Sequence, residues 1–166
     1  MTNFFEGRAF RQGLSFGIVS SAMTVLGISL GMWSSNQGIK AIIASIIGLS
    51  ISNALADGFS MYMSNKAIQK DTHDKNIAFK SAATTSFVEF ILPFIFLLPF
   101  LLYKQKTAIL LNTILGVILV GGMGIYVSKL NHRSDEETVM DTATYISITF
   151  LIMGLTYLSG LITKYI

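Results

Sequence analysis

Five stretches of this chain each run for about 20 residues or more with at most one charged side chain, and nothing else in the sequence restricts the fold as strongly. They fall at about Leu14–Trp33, Ala41–Ser64, Ser81–Tyr103, Ala108–Lys129 and Val139–Thr163. At 1.5 Å of rise per residue, a helix over any of them would cross a hydrocarbon layer of roughly 30 Å. Of the 166 residues, 52% are hydrophobic and only 13% charged. A domain whose surface faces water carries about 25% charged residues, so this surface is expected to face lipid. The fold class predicted is all-α: a polytopic membrane protein, one domain over residues 1–166, built as a bundle of five transmembrane helices.

Other classes drop away on composition. No cysteine is present, which removes disulfides, thiolate metal sites and redox pairs. The net charge of +3 comes from basic residues in short loops between apolar runs. That pattern signals orientation rather than a nucleic-acid surface, which needs a clustered basic face. The first apolar run is followed by four more and is not preceded by a basic n-region with a cleavage site after it, so it is read as a mature helix rather than a signal peptide. No Gly-rich phosphate loop, H-E-x-x-H pair or nucleophile–base set occurs, so no enzyme and no cofactor are expected.

The loop lysines and arginines divide unequally. Eight lie on the side of the N-terminus (Arg8, Arg11, Lys66, Lys70, Lys75, Lys80, Lys129, Arg133) and four on the other (Lys40, Lys104, Lys106, Lys164). The positive-inside bias then predicts a cytoplasmic N-terminus and an extracytoplasmic or lumenal C-terminus. The first run is rich in small residues, with Gly27-x-x-x-Gly31 among them, and is expected to pack inside the bundle; lipid-facing glycines are the alternative. Gly116, Gly121, Gly122 and Gly124 carry the same expectation of close packing for the fourth run.

Carboxylates within apolar runs are costly, which makes Asp57 and Glu89 the functional candidates. Asn53, Asp57 and Met61 stand at i, i+4 and i+8 on one helical face, with Ser60 and Ser64 on an adjoining one. An amide oxygen, a carboxylate and a thioether in one stripe suit a partly dehydrated Mn²⁺ or Fe²⁺. The competing reading has Asp57 satisfied by serines of the first helix and Met61 as core. Glu89 stands four residues before Pro93, which frees the Glu89 carbonyl and fits a cation or proton relay. Its alternative is a helix-end glutamate reaching the headgroups. Asp71, His73 and Asp74 form a loop triplet able to attract metal transiently, or simply solvated loop. Ser134 ahead of Asp135-Glu136-Glu137 reads as a helix N-cap.

The string Ser52-Asn53-Ala54-Leu55-Ala56-Asp57-Gly58-Phe59-Ser60-Met61, followed by Tyr62-Met63-Ser64, resembles the second-helix signature of the vacuolar iron transporter family. Gly7 to Arg11, the Gly/Ser-rich first helix, and Leu97-Leu98-Pro99-Phe100 closing the third run are similar to that family as well. The resemblance implies a dimeric exporter of cytosolic Fe²⁺, sometimes Mn²⁺, exchanged for protons along a path between the first and second helices. It implies that Met61 is the pathway methionine and that Asn53 falls where many members have a glutamate. The family's first-helix Asp-Gly pair has no counterpart: Ser20-Ser21 takes its place, while Asp57 stands where a small residue is usual. The large cytoplasmic metal-binding domain is replaced by roughly residues 65–80.

The leading expectation is therefore a homodimeric carrier exporting Fe²⁺ or Mn²⁺ by proton antiport. Asp57, Met61 and Asn53 would bind the ion, Glu89 would couple protons, and Ser20, Ser21, Ser60 and Ser64 would line the path. The transported ion and the lipid bilayer are the other partners. The acid-free first helix motivates a second reading, a non-transporting scaffold or assembly subunit. A proton-coupled exporter of organic cations centred on Glu89 is the third.

Overall fold

A computed structural model describes residues 7–68 and 76–165. The Asp71–His73–Asp74 triplet lies outside the described residues. Five helices follow one another: α1 (Arg8–Ser34), α2 (Ile39–Ile68), α3 (Ile77–Leu102), α4 (Gln105–Leu130) and α5 (Asp135–Thr163). Each is long and apolar enough to cross a membrane. All begin or end beyond the apolar runs that announce them, because hydropathy marks where charge stops and helical hydrogen bonding continues for another turn or so.

Local chemistry accounts for the helix ends. Ser134 accepts from the Glu137 N–H while the Glu137 carboxylate accepts from the Ser134 N–H, so the expected N-cap is a full capping box. The C-terminal ends of α1 and α4 close without glycine. Asn36 (φ 63°) and His132 (φ 54°) take the left-handed conformation there. Around them the N–H groups of Gln37 and Arg133 reach back to the carbonyls of Met32 and Ser128. Those of Asn36 and His132 reach Trp33 and Lys129, completing two Schellman motifs.

α1 is the hub and packs against all four other helices. Its small residues make that geometry available. A side chain at Gly13 would collide with the Ser81 carbonyl of α3, and at Gly17 a Cβ would sit 2.9 Å from the Val88 Cβ. On the other flank a Cβ at Gly31 would stand 3.1 Å from the Thr156 carbonyl of α5, and Gly160 of α5 lies directly on Gly31 and Ser34. The expected inward position of the Gly27–Gly31 pair holds. The uniform expectation for α4 does not: Gly116 seats Leu26 and Gly124 seats Thr142, whereas Gly122 faces open space. Between the helices Leu26, Ile42, Ile46, Phe96 and Val120 form the buried centre. Large apolar side chains such as Leu55, Phe59, Phe87 and Leu102 point outward, each about two-thirds exposed or more.

Candidate functional site

α2 packs mainly on α3, and α1 lies across both. Gly58 permits this approach, because a Cβ there would collide with Ser86 of α3. The neighbouring residue, Asp57, is thereby turned into the seam among the three helices. Ser20 of α1 donates its hydroxyl to Asp57 Oδ2 at 3.2 Å. Ser20 and Asp57 also lie beside the carboxyl group of Glu89. Counted from the end shared by Arg8, Ile68 and Ile77, Ser20, Asp57 and Glu89 lie about 16–18 Å along their helices. Three polar groups thus meet at one level near the middle of the bundle.

Glu89 has no solvent exposure, and neither carboxylate oxygen makes a hydrogen bond of good geometry. The reading of Glu89 as a helix-end residue at the headgroups does not hold, since α3 begins at Ile77 and places it more than three turns in. Beside it a cavity of about 10 Å³ is lined by Ser21, Asn53, Ser50, Thr24 and Pro93 among others. That volume accommodates one water molecule at most. The Ser21 hydroxyl is buried and unpartnered as well. Among the described residues, the interior therefore holds two carboxylates, neutral oxygen groups around them and no basic side chain beside Glu89. A buried carboxyl pair of this kind needs a proton or a cation between its members to be neutralised.

The structure joins what the sequence reading kept apart. Asp57 and Glu89, assigned there to metal and to protons separately, form one cluster with Ser20, while Ser21 and Asn53 line the adjoining cavity. Met61 is buried one turn further along α2. Ser60 and Ser64 lie on the exposed face of α2, away from the α1 seam, and the Ser60 hydroxyl bonds the Ala56 carbonyl. The alternative reading of Asp57, a carboxylate satisfied by a first-helix serine, is realised in the Ser20 bond. Ser50, Thr85 and Asn112 were not singled out. Ser50 lines the cavity, Thr85 donates to the Gly13 carbonyl across the α1–α3 contact, and Asn112 donates from α4 to the Phe96 carbonyl at 2.8 Å. The single asparagine in a fourth run with few other polar side chains was the available signal for the last of these.

Among the described residues, no group of three or more His, Asp or Glu side chains converges as a metal site. Any ion held at the cluster would be bound by two carboxylates and neutral oxygens. No protein-family model, curated protein or solved structure matches the chain.

Proposed function

We infer that this chain is a multi-pass membrane carrier that exports a divalent transition-metal cation, Fe²⁺ or Mn²⁺, from the cytosol in exchange for protons. Asp57 and Glu89 act as one exchange site. The observation that carries this reading is the meeting of the two carboxylates at mid-helix depth without a basic partner. Five apolar helices with a greasy exterior support the membrane setting.

The mechanism follows from charge. Neutralised by protons, the pair is stable in a desolvated site; neutralised by a divalent cation, it is stable again; bare, it is not. Proton and cation occupancy exclude each other at one place, which is the requirement for antiport. Oxygen donors from Asp57, Glu89, Ser20, Ser21 and Asn53 suit Mn²⁺ or Fe²⁺, and Met61 stands one turn away for a softer contact. The small cavity corresponds to an occluded form that must widen between α1, α2 and α3 to take the ion. The resemblance of residues 52–64 to the vacuolar iron transporter signature points the same way. The basic-residue bias places the N-terminus in the cytosol and the C-terminus on the opposite side. A second copy packs on the outer face of α2, where Ala44, Gly48, Ser52, Ala56, Ser60 and Ser64 leave a smooth exposed track.

A scaffold that has lost transport is the second reading. It is favoured by the Ser20–Asp57 bond and by a cavity too small for a ligated ion. Uptake of Fe²⁺ and Mn²⁺ into proteoliposomes carrying an internal pH dye separates the two. The carrier gives saturable metal flux with proton counterflow, lost in both Asp57→Asn and Glu89→Gln. Correctly folded wild-type protein without flux leaves the scaffold.

A further inference from the structure

A second concavity lies on the far side of α1, facing α4 and α5. Its mouth sits at the N-terminal end of α1, is about 560 Å³ in volume and is lined by Arg8, Arg11, Gln12 and Asn131. Below it lies a cleft of about 400 Å³ walled by Phe16, Val19, Met123, Val127 and Tyr145. Ser15 and Val127 line both, so the two form one continuous groove. The Ser15 hydroxyl is already bonded to the Arg11 carbonyl, which leaves arginine and amide donors as the free polar groups of the mouth. No acidic side chain among the described residues lines either part. Among the described residues the one ion pair is Arg133–Glu137, and neither guanidinium at the mouth has an acidic partner among them.

The groove has the polarity of an amphiphile. Donors gather at the end of the helix and carbon surface follows below them, the whole groove spanning the 13 residues of α1 from Arg8 to Ser20. That is about 18 Å of helix, comparable with one leaflet of a hydrocarbon core roughly 30 Å thick. A soluble anion would use only the mouth, and a zwitterionic lipid would bring a cationic headgroup against two arginines. We propose that the α1–α4–α5 groove is a binding site for one anionic phospholipid, its phosphate held by Arg8 and Arg11 and an acyl chain lying along Val19, Met123 and Val127. This rests on the membrane setting but not on cation transport. The lower end of the groove is closed by Ser20, the residue bonded to Asp57, so the chain of the bound lipid seals the carboxylate cluster on that side.

Native mass spectrometry of the full-length chain in detergent tests the site, with phosphatidylglycerol, phosphatidylcholine of the same acyl chains, and glycerol phosphate as probes. A single phosphatidylglycerol adduct, favoured over phosphatidylcholine by about tenfold or more, is expected because the choline cation offsets the phosphate beside two arginines. The preference should vanish in R8Q/R11Q and persist in K104Q/K106Q at the opposite helix ends. Val127→Phe, which fills the cleft, should weaken both lipids. Equal retention of the two lipids, or an unchanged adduct in R8Q/R11Q, overturns the site. Glycerol phosphate binding as tightly as the lipid overturns the lipid assignment in favour of a soluble phosphate.

Discussion

Glu89 is buried with both carboxylate oxygens unpartnered, a condition that costs stability in any protein unless the group has work to do. Asp57 differs: its partner Ser20 is in place, and it keeps some solvent contact. The two acids thus have unequal surroundings, and one substitution separates stability from function. Glu89→Met keeps the volume and removes the unpaired carboxyl group. The protein should gain about 1–3 kcal/mol in stability, read as a higher melting temperature in detergent, and lose all metal–proton exchange. A variant that is destabilised would mean that Glu89 is held by interactions its geometry does not show. Asn112 is tied where Glu89 is not: its amide N–H links α4 to the Phe96 carbonyl of the continuous, proline-containing helix α3, while its Oδ1 stays buried and unpartnered.

Between helices the decisive residues are small ones, and their positions sort them. Gly31 and Gly160 meet at the α1–α5 crossing, where no side chain fits, whereas Gly122 of α4 faces open space. Gly31→Leu should therefore destabilise the bundle by about 1–3 kcal/mol through overpacking. Gly122→Ala should stabilise it by about 0.5–1 kcal/mol, because alanine loses less backbone entropy in a helix. Thermal unfolding of the two variants against wild type checks both signs at once. The helix ends are equally physical: Asn36 and His132 occupy left-handed positions that glycine would take most easily, and the Schellman bonds around them hold those turns.

For the molecule as a whole, a carrier must bind its cation and lose it to protons. Mn²⁺ at a hundred times its dissociation constant should stabilise the folded chain by about 2.7 kcal/mol through mass action. The same site takes protons, so the apparent Mn²⁺ affinity should fall as pH falls, and the stabilisation with it. Both effects should be absent in Asp57→Asn. A melting temperature indifferent to Mn²⁺ at every pH supports the scaffold instead. Orientation has its own measurement, made clean by the absence of native cysteine. In intact cells a single cysteine at Gln37 should react with an impermeant maleimide, and one at Asn131 only after permeabilisation. The reverse pattern overturns the assigned topology.

The number and rough extent of the helices were legible in the amino-acid order, as were the Ser134 cap and the two interior carboxylates. Each depends on local chemistry: a charge-free run long enough to cross lipid, a serine three residues before a glutamate, an acid where acids are costly. Which way α2 faces was not legible. α2 is apolar on nearly every side, so it carries no amphipathic signature, and each residue step turns a side chain by about 100°. Packing set that rotation: Gly58 against Ser86 turned Asp57 toward Ser20 and Glu89, and left Ser60 and Ser64 on the exterior. The amino-acid order alone determined that two acids lie deep in the helices. Only the tertiary structure decided that they meet, because helix rotation depends on the neighbour's surface rather than on the helix's own residues.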